Sequence, residues 1–201
     1  MALVADVRDR ATLAAQIEAL VEGENGGLDA VVAAAGVVDA GATHAIEPAA
    51  WDAVIDVNLT GVFNVAHFTM PALCRRKGCF IAIGAAAGAF AAQGMAAYTA
   101  SKHGLNGLVK ALALEYGHLG VRANVISPGF VETRMAQKLL DSLSDEERIA
   151  MRKRTPLDRF AKADEVADVI AWFASDQANF ANGALFALDG GVTAGWYMPP
   201  A

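Results

Sequence analysis

In the stretch Tyr98-Thr99-Ala100-Ser101-Lys102, a phenol and an ammonium stand four residues apart. The segment 97–117 has helical spacing, and on a helix residues i and i+4 share a face. An ammonium beside a phenol favours the phenolate and lowers its pKa from about 10, so the tyrosine can give and take a proton nearer neutrality. That is acid/base equipment for a carbonyl or an alcohol. The same spacing also fits an amphipathic tyrosine next to a solvated lysine, so the elements that surround the pair must decide between the two.

Those elements alternate. Residues 2–5 form a short apolar run closed by Asp6, a strand pattern, and residues 9–21 carry the helical spacing Leu13, Ile17, Leu20. Residues 29–35 are continuously apolar up to Gly36, as in a strand buried on both faces of a parallel sheet. Residues 47–76 read as one long helix, with Pro48 in its first turn and an apolar stripe through Trp51, Val54, Leu59, Val62 and Val65. Further strands are expected at 80–83, 121–126 and 184–188, and helices at 97–117 and 164–174, with a charged, Met-dotted helical lobe over 133–154. This order predicts one α/β domain over residues 1–201, built on a doubly wound parallel sheet.

Composition narrows the function. Of 201 residues 55% are hydrophobic and 19% charged, which is enough apolar material for a sizeable core. The net charge of −6 offers no basic stripe, so neither nucleic acid nor an anionic membrane is an expected partner. Small molecules and further copies of the chain are. Cys74 and Cys79 are too few for a disulfide framework and lack metal-ligand spacing, so they are read as reduced thiols, and no metal is expected. His44, His67, His103 and His118 are scattered without carboxylate partners and are read as structural or surface groups. The opening MALVADVRDR lacks a basic segment before an apolar core, and no apolar run reaches about 18 residues, so a cytoplasmic protein without signal peptide or membrane span is expected.

From Asp6 to Gly195 the chain resembles the short-chain dehydrogenase/reductases. The pieces that carry the resemblance are Ala5-Asp6-Val7, the strand ending in Ala35-Gly36, Val57-Asn58-Leu59-Thr60-Gly61, the Tyr98 and Lys102 pair, Arg122-Ala123-Asn124-Val125-Ile126-Ser127-Pro128-Gly129 with Thr133 beyond it, and Leu188-Asp189-Gly190-Gly191. The resemblance implies a Rossmann-like fold and an NAD- or NADP-dependent oxidoreductase acting on a secondary alcohol or ketone. It gives Tyr98 the proton exchange with the substrate oxygen. Lys102 would tune that tyrosine and hold the nicotinamide ribose, and Asn58 would hold a water that links the lysine to solvent. Asp6 and Val7 would lie at the adenine, Gly36 would let backbone approach the cofactor, and Pro128, Gly129 and Thr133 would cover the nicotinamide. Each has a plainer alternative: Asp6 could cap the following helix, Asn58 could bond a neighbouring strand, Pro128-Gly129 could simply stop a strand, and Thr133 could be a surface hydroxyl. The loop 36–45 and the lobe 130–154, with Val37, Phe130, Met135 and Leu139, would shape substrate choice. The resemblance also implies a homodimer or homotetramer, assembled through the helices at 51–74 and 97–117.

Three departures from the family pattern bear on activity. No glycine-rich turn of the form TGxxxGxG is found among the 19 glycines, so two βα units on the order of 50 residues are expected to be missing. Ala85 stands 13 positions before Tyr98, where the family has a substrate-orienting serine, and no Ser or Thr lies between Phe80 and Ala97. Ala33-Ala34-Ala35-Gly36 replaces the usual Asn-Asn-Ala-Gly. An impaired oxidoreductase is therefore expected, the alternative being a non-catalytic homologue kept for small-molecule binding or assembly. Without its usual neighbours, the run 2–5 is expected to shift and pair with 31–34, or that edge to be covered by another chain.

Overall fold

The computed structural model describes residues 3–141 and 143–199, without the side chains of Met135, Lys138 and Leu139; the expectations placed on Ala2, Met135 and Leu139 thus fall outside the described residues. In chain order the elements are α1 (Arg10–Gly23), β1 (Ala30–Ala33), α2 (Pro48–Ile55), α3 (Gly61–Arg76), β2 (Cys79–Ile83), α4 (Ala96–Tyr116), β3 (Arg122–Pro128), β4 (Val131–Glu132), α5 (Arg134–Asp141), α6 (Asp145–Arg152), β5 (Ala161–Lys162), α7 (Ala163–Ala174) and β6 (Leu185–Leu188). Four strands form a parallel sheet in the order β1-β2-β3-β6, and β4 pairs with β5 in a separate two-stranded parallel ribbon.

The apolar runs at 80–83 and 121–126 become the two central strands because helices cover both of their faces, whereas the run 29–35, expected to be buried on both faces, becomes β1 at the end of the sheet, where Val32 is 40% exposed. On one face Phe80, Ala82, Ala123 and Val125 meet Val62, Ala66, Met70 and Leu73 of α3 and Leu105 and Val109 of α4. On the other, Cys79, Ile81 and Ile126 pack under Phe173 of α7. This is a doubly wound, Rossmann-like arrangement in which the carboxyl ends of β1, β2 and β3 lie side by side, the usual place for a ligand crevice. No helix among the described residues is long and apolar enough to cross a membrane.

Four further expectations are corrected. Residues 3–5 form no strand, and Leu3 and Val4 are 40% and 90% exposed. The shift onto residues 31–34 does not occur, and among the described residues β1 pairs with β2 alone. The reason lies a few residues on: the Val7 carbonyl accepts from Asn64 Nδ2 at 2.8 Å and Arg10 Nε donates to Asn64 Oδ1 at 2.9 Å. Those bonds tie the segment to α3, and so short a strand on an edge would gain too little to break them. Helix α1 is capped by Asp9, whose carboxylate accepts from the amides of Ala11 and Thr12, so Asp6 is not the cap. The long helix expected over 47–76 is interrupted: Asp56–Thr60 forms a π-helical turn between α2 and α3. The lobe at 133–154 resolves into α5 and α6, the second closed at its start by a reciprocal Ser144/Glu147 capping box.

Candidate active site

Helix α4 carries Tyr98 and Lys102 on the face turned toward the end of β2. Lys102 is 4% exposed, and its Nζ donates to the Ile83 carbonyl at 2.9 Å, at the last residue of that strand. The same Nζ stands 5.6 Å from the centroid of the Tyr98 ring. The π-helical turn, a geometry often found at functional sites, presents Asn58 to this point from the other side. Asn58 is fully buried; its Oδ1 accepts from the Val37 amide at 2.8 Å, and its Nδ2 donates to the Val37 carbonyl at 2.9 Å and to Ser101 Oγ at 3.2 Å. Gly36 closes the ring: a Cβ there would lie 3.5 Å from Asn58 Oδ1 and 3.9 Å from Lys102 Nζ. Tyr98, Lys102, Asn58 and Gly36, read from separate stretches of sequence, are thus brought together.

The electrostatics differ from the expectation in one respect. Burial pushes the Tyr98 phenol up from its ordinary value, whereas a lowered value was expected. The lysine is spent on a backbone carbonyl and stands over the ring, and it is itself driven down to about 8 by burial. The tyrosine is therefore held protonated, ready to donate.

Sequence reasoning missed Ser101. Its hydroxyl donates to the Tyr98 carbonyl at 2.8 Å and accepts from Asn58, joining α4 to the π-helical turn. Its place three residues after Tyr98, on the same helical face, was the available signal. The Ile83 carbonyl left no signal, being backbone. Asn106 Nδ2 donates to the Gly88 carbonyl at 3.0 Å and pins the segment that contains Ala85 against α4.

The remaining expected residues make other contacts. Asp6 is exposed and bound to Arg8, whose side chain and amide hold its carboxyl at about 2. Val7 packs on the start of α3, where a Cβ at Gly61 would fall 2.5 Å from its Cγ2. Pro128 and Gly129 end β3; Gly129 donates its amide to the Leu188 carbonyl, and a Cβ there would meet the Asp189 backbone at 3.0 Å, so close packing alone accounts for the glycine. Thr133 is exposed and accepts from the Ala136 amide at 3.3 Å, in the manner of a helix cap. Among the described residues no cluster of three or more His, Cys, Asp or Glu is placed to hold a metal.

A groove of about 480 Å³ runs along a neighbouring face of α4, lined by Thr43, Gly94, Thr99 and His103 with intervening alanines. The bond from the Gly41 amide to the Gly94 carbonyl, 2.8 Å, brings the 36–45 loop to its edge. His103, read as a surface group, is one of its walls. A smaller cavity of about 70 Å³ lies beside Gly129, Phe130 and Asp189.

A family profile described as enoyl-(acyl carrier protein) reductase matches residues 1–193. The 3-oxoacyl-(acyl-carrier-protein) reductase FabG of Thermotoga maritima is 35% identical over 190 residues, spanning 94% of this chain and 75% of that protein. A Xanthobacter autotrophicus protein described as inactive 2-(S)-hydroxypropyl-CoM dehydrogenase 2 is 36% identical over 193 residues, spanning 94% of this chain and 84% of its own. Among solved structures, a gluconate 5-dehydrogenase from Burkholderia cenocepacia in complex with NADP and tartrate matches with a TM-score of 0.89 and 32% identity, over 96% of this chain and 75% of that one. Sequence, fold and the convergence of Tyr98, Lys102 and Asn58 therefore agree: the chain belongs to the short-chain dehydrogenase/reductase family.

Proposed function

We propose that this protein is an oxidoreductase of secondary alcohols or ketones that uses NAD or NADP, working below the capacity of a complete site. The convergence of Lys102 Nζ, the Tyr98 ring, Asn58 and Gly36 carries this reading. A nicotinamide, when bound, supplies or accepts the hydride. Tyr98 gives its phenolic proton to the oxygen of a ketone as it becomes an alcohol, or takes it back in the reverse direction. The Lys102 ammonium, anchored on Ile83, stabilises the phenolate that remains and faces the ribose side of the pocket. Asn58 and Ser101 keep α4 and the 36–37 backbone in register around it. On this reading Gly36 lets backbone approach the cofactor, Asp6 and Val7 take the adenine, and Pro128, Gly129 and Thr133 cover the nicotinamide.

Two features weaken the site. These 201 residues hold no glycine-rich turn to seat a pyrophosphate, and Ala85 offers no hydroxyl where the family has its serine. The loss of one preorganised donor costs on the order of 10²–10³ in rate. The same two features favour a second reading, a non-catalytic homologue that binds a small molecule or serves assembly; one relative is itself described as inactive. Turnover separates the two. Across a panel of secondary alcohols and ketones with NADH and NADPH, the wild type should turn over slowly and Tyr98→Phe should lose on the order of 10²-fold or more with cofactor binding retained. Equal rates in the two proteins would favour the non-catalytic reading.

A further inference from the structure

The segment that follows β2 is held against α4 at two points. Lys102 Nζ donates to the Ile83 carbonyl at 2.9 Å, and one helical turn further on Asn106 Nδ2 donates to the Gly88 carbonyl at 3.0 Å. Residue 85 lies between those two carbonyls. The sheet fixes the first part of the segment, since the Gly84 amide donates to the Ile126 carbonyl at 2.7 Å. The remainder is a short 3₁₀ turn, Ala86–Gly88, closed by the Gly88 amide on the Ala85 carbonyl at 2.9 Å. From Gly84 to Gly88 every residue is buried except Ala85, which is half-buried. Ala85 is thus where this segment meets open space, at the carboxyl end of the sheet.

Among the described residues Asn106 is the only side chain that hydrogen-bonds to residues 85–88. The joint is tight: a Cβ at Gly88 would lie 2.9 Å from Asn106 Nδ2 and 3.2 Å from the Lys102 carbonyl oxygen. For stability alone the residue is a poor choice. Asn106 is 9% exposed, and its Oδ1 is buried without a partner among the described residues. An unpaired buried acceptor offsets much of what the Nδ2 bond contributes. What the amide secures is the place of the turn.

We propose that Asn106 is a positioning residue of the oxidoreductase site: by holding the Gly88 carbonyl it fixes the 85–88 turn relative to Tyr98 and Lys102 on the same helix, so that Ala85 forms a set wall for the substrate. This rests on the oxidoreductase reading and adds a residue to that site. Asn106 acts through the turn and touches neither substrate nor cofactor. It gives Gly88 a function too, since the glycine leaves room for the amide to reach the backbone.

The test takes the ketone of the panel that the wild type reduces fastest and follows kcat/KM, NADPH affinity by fluorescence titration, and urea unfolding. Asn106→Leu keeps the branched shape of the side chain and removes both polar atoms. It exchanges one unpaired buried oxygen, Asn106 Oδ1, for another, that of Gly88, so the urea midpoint should stay at the wild-type value, and NADPH affinity with it. The kcat/KM should fall by ~10²-fold, as for a displacement of about 1 Å at a reacting centre. A merely structural asparagine would show the reverse, a lower urea midpoint with turnover kept. Gly88→Ala puts a Cβ into the joint and should reproduce the loss of kcat/KM. Combined with Asn106→Ala it should do no worse than alone, because both changes open the same joint. If the wild type turns over the ketone and both Asn106→Leu and Gly88→Ala match its kcat/KM, the assignment of Asn106 is overturned and the oxidoreductase reading stands. A kcat/KM that falls only in step with the urea midpoint overturns it as well. If the wild type reduces no ketone of the panel, the oxidoreductase reading falls and the role of Asn106 falls with it. Should Asn106→Leu fail to fold, Gly88→Ala decides by the same readings.

Discussion

Lys102 sits at the end of β2 with its ammonium against a carbonyl, and its burial makes pH a direct probe of the site. A lysine depressed from 10.5 to about 8 is neutral in the folded chain across that interval while the unfolded chain still holds the proton. The unfolded state then binds more protons, so stability rises as pH increases through the window. Between pH 8 and 10, below the range in which the raised Tyr98 titrates, Lys102 should raise the urea midpoint by the equivalent of ~2–3 kcal/mol, read as the difference between the wild type and Lys102→Met, since the buried Cys79 thiol, raised above its ordinary value, works in the opposite direction in both proteins. Catalysis should move the other way: ketone reduction should fall above about pH 8, because a neutral Lys102 no longer stabilises the phenolate. The identities of Tyr98, Lys102 and Asn58 were legible in sequence because each belongs to a recurrent local pattern. The direction of the tyrosine's shift was not, because it depends on burial and on a backbone carbonyl that has no sequence signature.

At the level of elements, the site depends on breaks in regular structure. The π-helical turn Asp56–Thr60 turns Asn58 inward from what otherwise reads as one continuous amphipathic helix. Periodicity alone runs straight through such a turn, since one extra residue barely disturbs an apolar stripe. The strand expected at 2–5 failed for the opposite reason: apolar residues marked it, but the polar clasp at Asn64 governs where the segment goes. Asn64 is 1% exposed and serves both Val7 and Arg10. Asn64→Ala should therefore cost about 1–3 kcal/mol in urea unfolding, the penalty for buried groups left unpaired. It should also make residues 3–9 the first site of limited proteolysis, with Tyr98 chemistry untouched. Protection equal to the wild type would show that the clasp does not hold this segment.

For the whole molecule, the central strands were the most legible part, because burial on both faces writes an unbroken apolar run; edges and surfaces were the least. Val32 on β1 is 40% exposed, and Trp51 and Phe63 on α2 and α3 are 39% and 44% exposed, so apolar surface remains along the helices through which a homodimer or homotetramer is proposed to form. Native mass spectrometry should give two or four times the 20.9 kDa chain, and Phe63→Glu should shift it toward the monomer. A wild-type monomer would remove the helix pair as an interface. Cofactor binding tests the account as a whole most directly. Titration of NADH or NADPH, followed by the fluorescence of the bound reduced nicotinamide, should saturate at millimolar cofactor in the wild type and weaken sharply in Lys102→Met. No saturable binding at millimolar concentration of either nucleotide, or equal binding by the two proteins, would contradict a nicotinamide pocket built around Tyr98 and Lys102.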